Sequence, residues 1–178
     1  MKTIVLLALY DEAPDLADLP FVFYTGVGKV NAASKAAQLI ERYRPEHVIN
    51  FGTAGGITQP TGFYQATRFV QRDMLCESLG FGPGQTPHET AAVIEVDSGL
   101  TCSTGDNFVE NPTLAIPADL VDMEAYAIAK VCQSNGVMFS CYKFVTDAAN
   151  TTAADEWGQK VLHGQTHYIA KLKELGLY

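Results

Sequence analysis

What most limits the folds open to this chain is a set of apolar runs that do not alternate. TIVLLALY (3–10), FVFYTG (21–26), HVINFGTAGG (47–56) and VMFSCYKFVTDAAN (137–150) are nearly continuous in hydrophobic residues and rich in β-branched and aromatic side chains. A strand with one wet face alternates polar and apolar residues, so continuous runs imply strands covered on both faces. Between the second and third run lies KVNAASKAAQLIERYR (29–44), which has helical periodicity and stops before Pro45. Strand, helix and strand in succession predict an α/β layered fold with a largely parallel sheet.

The middle of the chain reads differently. FYQATRFVQRDM (63–74), AAVIEV (91–96) and LTCSTG (100–105) follow one another with little helical pattern, which predicts longer twisted strands. GFGPGQTPHE (80–89) is a Gly/Pro loop, expected to be irregular and placed to cover a site. The last third returns to alternation: a short strand and a helix in DLVDMEAYAIAKVCQSNG (119–136), the strand of 137–150, and a closing helix over 151–175. No repeat, linker or low-complexity segment divides the 178 residues, which predicts a single domain over 1–178 with one compact core.

Charge and cysteine usage exclude several classes. A net charge of −8 with no basic run gives nothing with which to displace counterions from a nucleic-acid backbone, so no nucleic-acid partner is expected. The apolar start is about seven residues long and runs into Asp11 and Glu12, too short for a secretory signal, and no segment approaches a membrane span. Cys76, Cys102, Cys132 and Cys141 are scattered without CxxC pairs, which suits reduced thiols and a cytoplasmic location. His163 and His167 are spaced i, i+4 but lack the acidic partner of a zinc motif, so no metal and no cofactor is expected. GVGKVN (26–31) has Asn31 where a dinucleotide fingerprint has its third glycine, and no pyrophosphate site follows from it.

Three clusters fall where an α/β sheet presents ligands, at strand carboxyl ends: GTAGG (52–56), STGDNF (103–108) and FVTDAAN (144–150). Gly55 and Gly56 suit either a plain turn or positive φ with close approach to a ligand. Asp147 ends an apolar strand, where partial burial would raise its pKa and keep a proton available; the other role is that Asp147 or Thr151 caps the next helix. Glu124 opens an Ala-rich helix, where its charge also complements the helix dipole, and Glu12, just past the first strand, reads equally as a solvated loop carboxylate.

Taken in order, ALYDE (8–12), TGVGKVNAA (25–33), VINFGTAGG (48–56), STGDNFV (103–109), VDMEAYAIA (121–129) and KFVTDAAN (143–150) resemble the purine nucleoside phosphorylase superfamily. The likeness is greatest to its hydrolase branch, the methylthioadenosine/S-adenosylhomocysteine nucleosidases. The resemblance implies a three-layer α/β/α fold with a central twisted mixed sheet, and a purine N-ribosyl hydrolase acting on a small-molecule purine nucleoside. It implies Asp147 as the general acid at N7 of the purine, Glu124 as the carboxylate on the ribose hydroxyls, and Glu12 as the carboxylate that activates water, with Ala8 and Leu9 beside it. It further implies Met123 against the sugar, Phe108 stacked on the base, Val109 with its backbone at the base edge, and Thr53, Ala54, Gly55 and Gly56 as the wall behind. Relatives often dimerise so that a partner closes the site, and a homodimer is expected here.

Two alternatives stand beside that reading: a purine nucleoside phosphorylase, and a non-catalytic purine-binding or storage protein. A phosphorylase grips phosphate with arginines, one of them early in the chain. Here the arginines are Arg42, Arg44, Arg68 and Arg72, of which Arg68 and Arg72 lie on a central strand able to reach a site. The chain departs from the nucleosidase pattern in length, with short stretches from Glu12 to Phe21 and from Phe108 to Met123.

Overall fold

The computed structural model describes residues 1–111 and 113–178; within the short connection from Phe108 to Met123, Pro112 lies outside the described residues. Strand β1 (Thr3–Leu7) leads through two 3-10 turns to β2 (Val22–Tyr24), and helix α1 (Lys29–Tyr43) returns the chain to β3 (His47–Gly56). Then come β4 (Phe63–Gln71), β5 (Ile94–Glu95), β6 (Leu100–Thr104), β7 (Leu120–Asp122), α2 (Ala125–Asn135), β8 (Met138–Asp147), α3 (Ala153–Lys160) and α4 (Gln165–Glu174).

Among the described residues the strands form one mixed sheet. β1 pairs in parallel with β2 and β3, and β3 runs parallel to β8 along its whole length. β8 pairs antiparallel with β4, β4 parallel with β6, β6 parallel with β7, and β7 antiparallel with the end of β3 at Gly55 and Gly56. The ring β3–β8–β4–β6–β7 therefore closes on itself, while β1 and β2 extend it as an open wing. Closure removes the edges that β4 and β7 would otherwise expose.

The apolar strands are covered on both faces, as their composition requires. On one side Ile4, Leu6, Val48, Cys141 and Val145 pack with α1 and α2. On the other Val5, Leu7, Ile49, Phe51, Tyr142 and Phe144 pack with Tyr168 and Leu172 of α4. Neighbouring residues of each strand thus serve opposite cores, which makes the three layers.

Four expectations need correction. The closing helix of 151–175 breaks into α3, a 3-10 turn at Val161–Gly164, and α4. Gly164 allows the break: a Cβ there would fall on the Tyr168 hydroxyl and within 2.9 Å of the Phe144 Cβ. The strand expected over 91–96 shrinks to Ile94–Glu95. Gly55 and Gly56 do not form a turn and have no positive φ; both lie within β3. They are needed for close packing, because a Cβ on Gly55 would lie 2.9 Å from both Asp147 Oδ1 and Val121 Cγ2. Finally, the 80–89 loop is irregular as expected, but it packs on β4 and α2 through Gln71–Thr86 and Lys130–Glu89 contacts and supplies no residue to the cleft described next.

Candidate active site

At the end of the ring where β3 and β8 finish, a half-open cleft is lined by Glu12, Glu124 and Asp147 together. Thr53, Ala54, Gly55, Phe108, Val109 and Met123 line it as well, with Ala8 and Leu9; of the residues singled out for the site only Gly56, expected in the back wall, is not among those lining it.

Glu12 closes a single 3-10 turn after β1 and is only 3% exposed, which rules out a solvated loop carboxylate. Its Oε2 accepts the backbone N–H groups of Ala8 and Leu9, each at 2.9 Å, and its Oε1 accepts the Thr53 N–H at 2.8 Å and the Thr53 hydroxyl at 3.2 Å. Four donors from two separated segments fix this carboxylate in one orientation.

Glu124 stands at the N-cap of α2 without capping it through its side chain. Its Oε1 instead accepts the N–H of Gly28 at 2.9 Å. Gly28 has φ of +94°, a conformation that favours glycine, and a Cβ there would crowd Asp106. The GVGKVN segment, unfit for pyrophosphate, thus serves to hold a carboxylate. Burial, and after it the negative charge of Asp122, pushes the Glu124 pKa up to about 7, against the opposing pull of Lys143 and the Gly28 N–H.

Asp147 is the last residue of β8. The β3–β8 ladder slips between Ala54 and Gly55, so Val145 pairs with Ala54 and Asp147 with Gly55, leaving Thr146 as the extra residue of a bulge. Bulges re-aim side chains at strand ends. Asp147 does not cap α3: its Oδ1 accepts the Ala149 N–H at 3.0 Å and its Oδ2 the Thr146 hydroxyl at 2.7 Å. α3 begins later, with Thr152 at its N-cap. Burial raises the Asp147 pKa, with a smaller rise from the Glu156 charge, and outweighs those two hydrogen bonds. The elevated pKa expected at this position is therefore present.

Beneath the carboxylates lies an ion pair that motif reading did not single out. Lys143 Nζ is 2.9 Å from Asp122 Oδ2, each side chain 1% exposed. Asp122 also accepts the Ala125 N–H at 2.8 Å and the Thr104 hydroxyl. Burial opposes its charge, but Lys143 and Thr104 prevail and hold its pKa below the usual range. A lysine inside an otherwise apolar strand was the available signal, since a buried charge demands a partner.

Arg72 reaches the cleft, but both terminal nitrogens of its guanidinium are engaged and its Nε is buried without a partner among the described residues. It donates to the backbone carbonyls of Ser103, Asp122, Gly105 and Asn107 and so ties β4 to β6, β7 and the loop after β6. Arg68 points away, toward Glu95. Phe108 stands 44% exposed at the mouth with its ring free to take a flat partner. Trp157 of α3 also lines the cleft and donates from Nε1 to the Thr53 hydroxyl at 3.0 Å. Nothing in the local sequence around Trp157 marks it, because its partner is 104 residues away. The two spaced histidines serve no shared site: His167 stacks on Phe63 and Phe144 at 5.4 Å each, and no group of three or more potential metal ligands occurs among the described residues.

A mixed sheet wound this way, with carboxylates gathered at its strand ends, is the arrangement of a nucleoside-processing α/β protein, and residues 16–175 match the phosphorylase superfamily model. The chain belongs to that superfamily. It is 31% identical over 184 residues to the 5'-methylthioadenosine/S-adenosylhomocysteine nucleosidase of Bacillus cytotoxicus, covering 85% of this chain and 79% of the relative. To the enzyme of the same name from Shewanella piezotolerans it is 29% identical over 188 residues, covering 85% and 80%. Among solved structures it is similar to the Helicobacter pylori 5'-methylthioadenosine/S-adenosyl homocysteine nucleosidase, with a TM-score of 0.85 at 20% identity over 98% of both chains. It is also similar to futalosine hydrolase of Helicobacter pylori, with a TM-score of 0.84 at 20% identity over 93% of both chains. At such identities these structures speak for the fold.

Proposed function

We propose that this protein hydrolyses the N-glycosidic bond of an adenine-type purine nucleoside, such as methylthioadenosine or S-adenosylhomocysteine. The observation that carries the reading is the meeting of Glu12, Glu124 and Asp147, from three distant parts of the chain, in one cleft. Breaking the C1′–N9 bond leaves positive charge on the ribose and an electron pair on the base. Asp147, which burial keeps protonated to higher pH than a free aspartate, gives its proton to N7 and neutralises the leaving base. Glu124 accepts from the ribose hydroxyls and faces the developing cation with its charge. Glu12 takes the proton of the water that adds to C1′, so that the products are free base and free sugar.

Around these groups Met123 packs on the sugar, Phe108 stacks on the base, Val109 meets the base edge through its backbone, and Thr53 to Gly55 form the back wall. Hydrolysis is favoured over phosphorolysis because the arginine that reaches the cleft is committed to four carbonyls, leaving no guanidinium fork for phosphate at that position. The proposal extends to one domain over residues 1–178, since β1 and α4 share a core cluster. It includes a cytoplasmic homodimer: the four cysteines are free, and Val27, Val30 and Phe108, exposed near the mouth, offer apolar surface for a second copy.

The test is release of free base from methylthioadenosine, S-adenosylhomocysteine, adenosine, deoxyadenosine, inosine and guanosine, followed by chromatography with and without phosphate. Release without phosphate, yielding free sugar, is expected. Release only with phosphate would replace the hydrolase by a phosphorylase, and no release with tight adenine binding would leave a purine-binding protein.

A further inference from the structure

Glu12, on the reading that it activates water, has no lone pair to spare. A carboxylate offers about four acceptor positions, and here Ala8 N–H, Leu9 N–H, Thr53 N–H and the Thr53 hydroxyl engage it. The first three are main-chain groups held by the turn after β1 and by β3. The hydroxyl is the longest of the four contacts and the one that can rotate without moving the backbone. Water can reach Glu12 only as that hydroxyl yields.

The Thr53 oxygen is itself held, from α3. The indole N–H of Trp157 can only donate and an ionised carboxylate can only accept, so the direction of both hydrogen bonds is set: Trp157 Nε1 to Thr53 Oγ1 at 3.0 Å, then Thr53 Oγ1 to Glu12 Oε1 at 3.2 Å. α3 is pinned to the same sheet end a second time, by Lys160 Nζ on the Thr146 carbonyl at 2.8 Å. The geometry points to Trp157 as a positioning residue for Glu12: its indole N–H anchors the Thr53 oxygen, so that the hydroxyl proton can swing between Glu12 and an incoming oxygen while the side chain stays in place. The docking of α3 is thereby tied to the readiness of the water-activating carboxylate.

The inference rests on the hydrolase reading, and its test separates the two. Base release by the wild type is measured first, then kcat and KM for Trp157→Phe, which keeps an aromatic wall and removes the donor, in wild-type, Thr53→Ser and Thr53→Val backgrounds. Loss of one such hydrogen bond is expected to lower kcat about fivefold with KM little changed. The loss should persist with Thr53→Ser, which retains a hydroxyl, and vanish with Thr53→Val. An equal loss in the valine background would reduce Trp157 to a wall of the cleft. Because Trp157 is the chain's single tryptophan, the hydrogen bond also has a readout independent of catalysis: Thr53→Val should shift its fluorescence emission. If the wild type releases no base, the hydrolase reading fails and the emission decides the anchor alone. Unchanged emission overturns it.

Discussion

Glu12, Glu124 and Asp147 are each held by main-chain N–H groups. Asp147 and Glu124 are raised by burial, and Glu124 additionally by Asp122. Two groups in one cleft with distinct environments can divide acid and charge-stabilising roles. Replacing Asp147 by Asn removes the transferable proton and keeps the acceptor for Ala149, so turnover should fall by about 10² to 10⁴ with the fold intact. Near-native release by Asp147→Asn, with unchanged circular dichroism, would sink the general-acid role.

Glu124 ties function to a stability cost of known sign. Its folded pKa of about 7 exceeds the ordinary 4.5, so between those values the folded state holds a proton that the unfolded state has lost. Stability therefore declines as pH rises from about 4.5 to about 7 and is flat in this respect above it. Glu124→Gln keeps an oxygen for Gly28 and removes the titration. Its melting temperature relative to wild type should rise from about pH 5 to about pH 7 and level off above that, while its activity is lost; a gap independent of pH would contradict the burial argument. Since the ionised form serves the ribose, wild-type kcat/KM should also rise with pH through about 7.

At the scale of elements, the joint between β3 and β8 decides where the chemistry sits. The slipped ladder sets Asp147 opposite Gly55, and the absence of a side chain on Gly55 leaves room for the carboxylate and for Val121 of β7. Gly55→Ala should cost about 1–3 kcal/mol by overpacking and lower kcat as Asp147 is displaced. Urea denaturation and steady-state kinetics check both. An alanine tolerated in stability and rate alike would mean that the three strands are looser than their packing indicates. The break at Gly164 works to a similar end, because it lets α3 lie toward the cleft with Trp157 while α4 turns Tyr168 into the core between Phe51 and Phe63.

For the whole molecule, the closed ring and its polar interior belong together. Lys143 on β8 and Asp122 on β7 join strands that are not neighbours, across the inside of the ring, and Arg72, just past the end of β4, stitches β6, β7 and the loop after β6 by four carbonyls. These groups give the carboxylates above them a rigid floor. Removing one member of a fully buried pair strands its partner's charge, so Lys143→Met should lose about 3–5 kcal/mol of stability. Chemical denaturation at neutral pH measures it; a loss below about 1 kcal/mol would mean that Asp122 finds water or takes up a proton at little cost.

The sequence by itself determined the layered α/β class, the order of the main strands and helices, and the motifs that meet in the cleft. Apolar continuity, 3.6-residue periodicity and Gly/Pro punctuation act over a few residues, so they can be read along the chain. Tertiary structure alone decided that the sheet closes into a ring, that the glycines of GTAGG stay in β3, that the final helix breaks, and that Arg72 is taken by carbonyls. It also decided that Gly28 holds Glu124, 96 residues away, and that Trp157 reaches Thr53 across 104. Such pairings depend on which surfaces fill the space opposite one another once the strands have paired, and no local pattern carries that information.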